Sequence, residues 1–443
     1  MISLPRDFID GLRDILGNDT DEYINRINDE PFRGISVNRL KAEPEKLLPF
    51  LPYETRQSPF YKDSYYYGGD SQGIGKHPLH HAGAFYAQEP SAASAVSLLD
   101  VQKGDKVLDL CAAPGGKSAQ IASCLGGTGL LWSNEVIKSR AQILLSNYER
   151  MGIAGGVVSS CYPEVLCEGL EGFFDRVLVD APCSGEGMFR KDSDAVAHWS
   201  REHVRACAER QLAILDSACR ALKEGGTLVY STCTFSYEEN EGVIKEFLRT
   251  HEDFEPVEIN EPFGRRTELS CAVRITPIEG GEGHFAAKLI NRGGTENVCS
   301  PAIKKKPDSR AEEAVRLLSE LFTELPQGEI SVVNDRVFIL PCLMPQVKNA
   351  GIIRAGIFAG ELKKGRLEPA HALFMAARPS MLRRVLELKL DDERVKQFLQ
   401  GMETDCDLPA GYAAVAVEGI ITGFGKCSGG RLKNKYPKGL RLL

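Results

Sequence analysis

The sequence predicts an α/β protein whose centre is a doubly wound, mostly parallel sheet. Three observations predict it. Between residues 106 and 231, five short apolar runs alternate with helical stretches, the mark of βαβ units. The first run opens onto a loop of small residues, as strand-to-helix turns that cradle ligands do. The chain of 443 residues is 43% hydrophobic and 26% charged, an ordinary globular composition with length for two or three domains.

The elements follow in order. Asp7 to Leu16 carries apolar residues at 8, 9, 12, 15 and 16, a helical spacing. Tyr65-Tyr66-Tyr67-Gly68-Gly69 reads as an irregular aromatic connection. Strands are predicted at 106–110, 129–133, 156–159, 175–180 and 226–231, with helices at 139–151 and 202–222 among them. His284 to Ile290 reads as a late strand on the sheet edge. The stretch 293–310 reads as a linker containing Lys304-Lys305-Lys306, followed by a helix near 311–322. The expected organisation is therefore an N-terminal extension (1–75), a central α/β domain (76–292), the linker, a small intermediate domain (311–375) and a compact, glycine-rich, basic C-terminal module (376–443).

Several classes are excluded or disfavoured. No run of about 18 apolar residues is present, so no membrane-spanning helix is expected. The segment Met1 to Asp7 lacks a basic-then-apolar leader, and the expected location is the cytoplasm. The 13 cysteines include no C-x-x-C pair and no Cys/His cluster of zinc spacing, so no metal is expected. A disulfide framework belongs to small secreted domains, and most of these cysteines read as small buried hydrophobes. The net charge of −7 argues by itself against a nucleic-acid partner.

Three segments carry chemistry. The first is Cys111-Ala112-Ala113-Pro114-Gly115-Gly116-Lys117, at the end of the first strand. Its small residues allow a ligand close to the backbone. Glu135, at the end of the next strand, is placed to accept the ribose hydroxyls of an adenosine. The dinucleotide pattern G-x-G-x-x-G is absent, and the P-loop pattern fails because residue 111 is Cys. The second segment, Asp180-Ala181-Pro182-Cys183-Ser184-Gly185-Glu186-Gly187, follows the fourth strand. The third, Ser231-Thr232-Cys233-Thr234, ends the fifth. In an open α/β sheet these loops share the crevice where ligands bind. A lone cysteine there would read as packing; two facing one glycine-rich loop do not.

Together the three segments resemble the Nop/Sun family of RNA cytosine-5 methyltransferases, in order and in spacing. Phe32 to Lys41, His81 to Ser91 and Gly423 to Arg441 further resemble its bacterial 16S rRNA branch, the RsmF-like proteins. The resemblance spans nearly the whole chain, with 310–400 least specific. It implies a class I S-adenosylmethionine-dependent methyltransferase fold, a Rossmann-like sheet, with a C-terminal α+β PUA-like RNA-binding module. It implies Cys233 as nucleophile toward carbon 6 of cytosine and Cys183 in product release. Asp180 would bind the base edge, and Lys117 would help lower a thiolate pKa. S-adenosylmethionine would lie along residues 111–117, with Glu135 on the ribose and Asp180 at the methionine end. Family members carry a polar residue near the end of the third strand for the adenine amine; here Cys161 stands there. Phe189, Trp199 and Tyr237 are candidates to line a pocket for a base taken out of its stack.

The charge conflict resolves locally. Residues 426–443 hold Lys426, Arg431, Lys433, Lys435, Lys438 and Arg441 and no acid, and Arg33 and Arg39 cluster near the N-terminus. Phosphate attraction follows local fields rather than the sum. The expected partner is small-subunit rRNA or a 30S particle, met by a monomer. A tRNA methyltransferase of the same chemistry and a non-catalytic ribosome-assembly factor of the same fold stay open as alternatives. Retention of both Cys183 and Cys233 speaks against the latter.

Overall fold

The computed structural model describes residues 4–68, 73–294, 309–345 and 347–442. Lys304-Lys305-Lys306 lies outside the described residues. The central sheet has the strand order Gly156–Ser159, Leu130–Asn134, Lys106–Asp109, Phe174–Asp180, Leu222–Thr232, all parallel. The chain moves one way from Lys106–Asp109 and then the other, so a switch point opens beside Asp109. Ligands of open α/β sheets bind at that point, outside the carboxyl ends of the strands.

Both faces of these strands are covered. Leu108, Trp132, Val157, Val177 and Leu228 pack into one core layer, and Val107, Leu131, Val158, Leu178 and Val229 into the other. Successive residues of a strand point to opposite faces, so continuous apolar runs are what a doubly covered sheet needs. The helices Gly116–Leu125, Lys138–Met151 and Arg201–Ala221 connect the strands.

One expectation is corrected. The late strand, His284–Asn291, is not at the edge. It runs antiparallel to Leu222–Thr232 on one side and to Ala272–Ile275 on the other. The short, mixed-polarity run at 272–275 carries no strand signal of its own. The opposite edge receives Ile352–Ala355, antiparallel to Gly156–Ser159. A piece of the downstream region thus completes the central sheet.

The flanking regions pack on each other. A four-stranded antiparallel sheet is formed by Thr55–Gln57, Ser64–Tyr67, Gly34–Val37 and Phe85–Ala87, and so reaches beyond residue 75. The C-terminal five-stranded sheet contains Val385–Leu388, Gly411–Val417, Ile420–Ser428, Arg431–Asn434 and Thr404–Asp405. Ile35, Leu79 and Phe85 share one core with Val415, Leu432 and Tyr436. The region between contributes Leu318, Ile339 and Phe374 to a core with Ala414, Ile421 and Phe424; the Phe374 and Phe424 rings stack at 4.4 Å.

The N-terminal helix Arg6–Leu16 buries Phe8, Leu12 and Leu16, spaced every fourth residue along one face. It packs over the segments that follow Cys183 and Cys233. The Phe8 ring meets Phe189 edge-on at 5.0 Å, and Tyr23 meets Phe235 at 5.4 Å.

Candidate active site

Parallel pairing brings the two cysteines together. Asp180 stands beside Ser231 in the register of adjacent strands, and Ala181 N–H donates to Ser231 O. The loops that leave these strands therefore emerge side by side. The Cys183 and Cys233 Sγ atoms are 3.2 Å apart, within hydrogen-bond reach for sulfur. With Cys183 donating, its hydrogen bond draws the Cys233 thiol down, and Lys117 adds to this; burial and Asp180 oppose but do not reverse it. Cys183 is pushed well up, first by that same hydrogen bond and then by burial. In that arrangement Cys233 is the more acidic of the two thiols.

Lys117 sits in the first turn of Gly116–Leu125, and its Nζ lies 2.7 Å from Asp180 Oδ2. Burial alone would depress this lysine, but Asp180 outweighs burial and its pKa is raised. Lys117 stays a cation beside Cys233. Asp180 Oδ1 accepts from Ser231 Oγ at 2.7 Å, so both carboxylate oxygens are held while each keeps acceptor capacity. The role of Ser231 depends on its partner across the strand register, which no local pattern reveals.

The glycines of the small-residue loop are packed closely against neighbouring side chains. Gly115 has φ +112°, and a Cβ there would stand 3.0 Å from Leu144 Cδ1. A Cβ on Gly116 would stand 3.2 Å from the Tyr86 ring. Arg140 donates to Ala113 O and Asn147 to Pro114 O, which fixes the loop from outside. Ala112 N–H donates to Asn134 O. Behind the loop, Asp109 Oδ2 accepts from Ser118 Oγ at 2.6 Å, and burial pushes Asp109 up to about 7. Cys111 is pushed well up by burial and by neighbouring carboxylates, which leaves it a thiol that packs.

Glu135 is buried at the end of Leu130–Asn134. One oxygen accepts from Ile137 N–H at 2.9 Å and the other pairs with Arg140 at 3.1 Å. A fixed carboxylate at this strand end, next to a small-residue turn at the switch point, fits a ribose diol, so these residues suit S-adenosylmethionine. At the third strand end, Cys161 N–H donates to Asn134 Oδ1, and Cys161 Sγ reaches Asn349 O at 3.6 Å. Ser160 N–H donates to Gly351 O. Asn134 Nδ2 also donates to Leu110 O and Cys161 O, so this one amide ties the ends of three strands together.

The other sequence candidates divide. Phe189 is fully buried in the core with Phe8 and does not line an open pocket. Trp199 is packed, its Nε1 donating to Glu186 Oε1 at 2.8 Å, while Tyr237 is 43% exposed. Arg39 is engaged by Asp63 at 2.8 Å and by Glu43. Arg33 lies at the start of Gly34–Val37, its carbonyl accepting from Tyr67 N–H. Lys426 and Lys433 face each other in register on adjacent strands and, with Lys435 and Lys438, are exposed. Arg441 is partly buried, with one guanidinium hydrogen bond to Tyr436 O. Glu186 and Glu239 stand outside the sequence candidates, and both are buried behind the cysteine loops; Glu239 lies in the acidic run Glu238-Glu239-Asn240-Glu241, and no local signal separates it from its neighbours.

Among the described residues, no group of three or more His, Cys, Asp or Glu side chains is arranged to hold a metal. No described helix is long and apolar enough to cross a membrane.

A switch-point crevice with a small-residue turn after the first strand and a buried acid at the end of the next is the arrangement of a class I S-adenosylmethionine-dependent methyltransferase. Comparison with known proteins narrows this. Residues 96–290 match the family model of the 16S rRNA methyltransferase RsmB/F, and residues 4–90 that of the N-terminal domain of 16S rRNA methyltransferase RsmF. Residues 316–376 match the RsmF rRNA methyltransferase first C-terminal domain, and 385–442 the methyltransferase RsmF PUA domain. The chain is 32% identical to the ribosomal RNA small subunit methyltransferase F of Vibrio cholerae, over 99% of this chain and 98% of that one. It is 31% identical to the protein of that name from Aeromonas salmonicida, over 95% and 93% of the two chains. A methyltransferase homologue from Pyrococcus horikoshii of known structure is 26% identical, covers 65% of this chain and 100% of its own, and superposes with a TM-score of 0.57. NSun6 from Pyrococcus horikoshii, solved with SFG, shares the fold at 22% identity and a TM-score of 0.59, covering 65% of this chain and 98% of its own. The chain belongs to the RsmF family of rRNA methyltransferases.

Proposed function

We propose that the protein methylates carbon 5 of a cytidine in small-subunit (16S) rRNA through a covalent bond between Cys233 and carbon 6 of the base. The observation that carries this reading is the sulfur pair, Cys183 beside Cys233 at 3.2 Å, with the Lys117–Asp180 ion pair at the same strand ends.

Carbon 5 of cytosine is a poor nucleophile. Addition of the Cys233 thiolate to carbon 6 breaks the ring double bond and makes carbon 5 enamine-like. Asp180 accepts a hydrogen bond from the exocyclic amine and favours protonation at N3, which draws electron density away from carbon 6. Bound S-adenosylmethionine supplies an electrophilic methyl group, held along residues 111–117 and by Glu135. Once carbon 5 is methylated, its proton passes to a deprotonated Cys183 or to water, the C5–C6 double bond re-forms, and the C6–S bond breaks with its electron pair leaving on Cys233 as a thiolate. Cys183 stands where it can serve that release as the proton acceptor, and ends as the thiol that donates to the Cys233 thiolate. Lys117 keeps Cys233 in thiolate form between turnovers.

The target base must be taken out of its stack to reach a crevice between strand ends. Lys426, Lys433, Lys435 and Lys438 form the exposed basic surface that would hold the surrounding phosphates. In this reading the chain acts as a monomer, on free rRNA or on a 30S particle, in the cytoplasm. The central domain does the chemistry and the regions on either side position RNA. Bisulfite sequencing of 16S rRNA from cells with and without the gene tests it: a cytidine protected only when wild type is present, and unprotected with Cys233→Ala, is expected. Protection that survives Cys233→Ala contradicts it.

A further inference from the structure

Two acids stand directly behind the cysteine loops without touching either sulfur. Glu186 lies three residues after Cys183 and Glu239 six residues after Cys233, and they are 2% and 0% exposed. Glu186 Oε2 accepts from Thr234 Oγ1 at 2.7 Å, Phe235 N–H at 2.8 Å and Ser236 N–H at 2.9 Å, all on the Cys233 loop. Its Oε1 accepts from Trp199 Nε1. Glu239 Oε2 accepts from Ser184 N–H at 3.0 Å, on the Cys183 loop, and from Gln211 Nε2 at 2.8 Å. Its Oε1 accepts from Ser236 Oγ at 3.1 Å. Each loop therefore lends a carboxylate to the backbone of the other.

The weave is tight elsewhere too. Ser184 Oγ and Thr234 Oγ1 are 2.9 Å apart, and Gly187 N–H donates to Cys233 O at 2.9 Å. A Cβ on Gly187 would come within 3.0 Å of that carbonyl oxygen, which requires glycine at this crossing. Burying a carboxylate is costly unless hydrogen bonds replace its water, and apolar groups of the same shape often fill such a space at no loss of stability. Packing alone therefore does not account for two buried acids with reciprocal targets. What the bonds do fix is the relative position of two loops, each carrying one sulfur.

We propose that Glu186 and Glu239 are positioning residues, a reciprocal carboxylate clamp that holds the Cys183 and Cys233 sulfurs at the spacing where one thiol donates to the other. This rests on the reading of the two cysteines given above. A sulfur pair at 3.2 Å is within hydrogen-bond reach; a pair that has drifted by about an ångström is not, and Cys233 then loses the hydrogen bond that draws it down.

The test uses full-length Glu186→Gln and Glu239→Gln. Each keeps the side-chain size and removes the charge: in Glu186→Gln the amide NH2 must face an N–H donor in either orientation, and in Glu239→Gln the NH2 faces Ser236 Oγ while only a neutral oxygen is left for Ser184 N–H. The readout is the pH dependence of Cys233 alkylation by iodoacetamide, followed at the Cys233 peptide by mass spectrometry, alongside steady-state kinetics on 16S rRNA. The expected result is alkylation at pH 7 slowed about tenfold, with its inflection moved toward that of an ordinary cysteine. A fall of kcat by about tenfold or more, with KM for RNA within about twofold, is expected with it. A purely structural role lowers the melting temperature and leaves the inflection of the folded protein in place; that result overturns the clamp. Trp199→Phe removes one donor to Glu186, and Gln211→Met removes one donor to Glu239 together with the bond from Gln211 Nε2 to Pro182 O on the Cys183 loop. They cover the case in which the glutamine variants do not fold: a smaller shift in the same direction is expected, and a wild-type inflection in both overturns the clamp. An inactive Cys233→Ala together with unshifted glutamate variants refutes the clamp alone. An active Cys233→Ala refutes the reading of the cysteines, and the clamp with it.

Discussion

Lys117 Nζ lies 2.7 Å from Asp180 Oδ2, and this ion pair borders the Cys183–Cys233 sulfur pair at the carboxyl ends of the strands. The cation reaches the site from the helix after the first strand and the anion from the end of the fourth, so the sheet topology joins residues 63 positions apart.

The thiol pKa of Cys233 is the first consequence. The hydrogen bond from Cys183 lowers it, and Lys117 contributes. Methyl transfer and alkylation of Cys233 should therefore rise with pH to a plateau reached below the range of an ordinary cysteine, about 8.5. In Cys183→Ala the inflection of alkylation should move up, because the donor is gone. Titration of the iodoacetamide rate at the Cys233 peptide checks this.

Lys117→Met removes the cation and leaves Asp180 held only by Ser231. Turnover at pH 7 is expected to fall about tenfold or more. The deficit should narrow at pH 9, where more Cys233 ionises without help. Single-turnover methylation of 16S rRNA at the two pH values measures it; an equal deficit at both would show that Lys117 acts otherwise than on the thiol.

Asp109 carries a pH-dependent share of the stability. Burial pushes its pKa up to about 7, while in an unfolded chain it titrates near 4. Between these values the folded state binds more protons than the unfolded one, so stability falls as pH rises through this window. Asp109→Asn keeps an acceptor for Ser118 and cannot ionise. The drop in melting temperature from pH 5.5 to pH 8.5 should be smaller in the variant than in wild type, as thermal unfolding followed by circular dichroism would show.

The basic surface is testable by charge, not by truncation. Residues from 411 onward include Ala414, Ile421 and Phe424, which are core to the neighbouring region, so deletion would unfold more than the tail. Lys433→Gln/Lys435→Gln leaves that core intact. The slope of log affinity against log salt for RNA should flatten by about 0.7–0.9 for each phosphate that is no longer neutralised. Filter binding across a salt series checks it, with kcat at saturating RNA unchanged.

Much of this was legible in the sequence. The five parallel strands and their helices were legible because strands buried on both faces are continuous apolar runs. Cys111 to Lys117, Asp180, Cys183 and Cys233 were legible because small residues, Pro-Cys and Thr-Cys at strand ends are compositionally odd. What stayed hidden was tertiary. Ala272–Ile275 and Ile352–Ala355 are four-residue strands with a charged residue each, defined by their neighbours rather than by pattern. Ser231, Asn134, Glu186 and Glu239 gain their roles only when separate strand ends meet. Arg39 reads as available for phosphate in the sequence, but Asp63, 24 residues on, engages it in the fold.

The covalent route through Cys233 is tested most directly by incubating Cys183→Ala with 16S rRNA and S-adenosylmethionine and resolving the mixture on a denaturing gel. A slow-migrating protein–RNA band, abolished in the Cys183→Ala/Cys233→Ala double variant and mapped by mass spectrometry to the peptide containing residue 233, is expected. Absence of that band while Cys183→Ala still methylates RNA, or a crosslink mapped to another residue, would contradict the account.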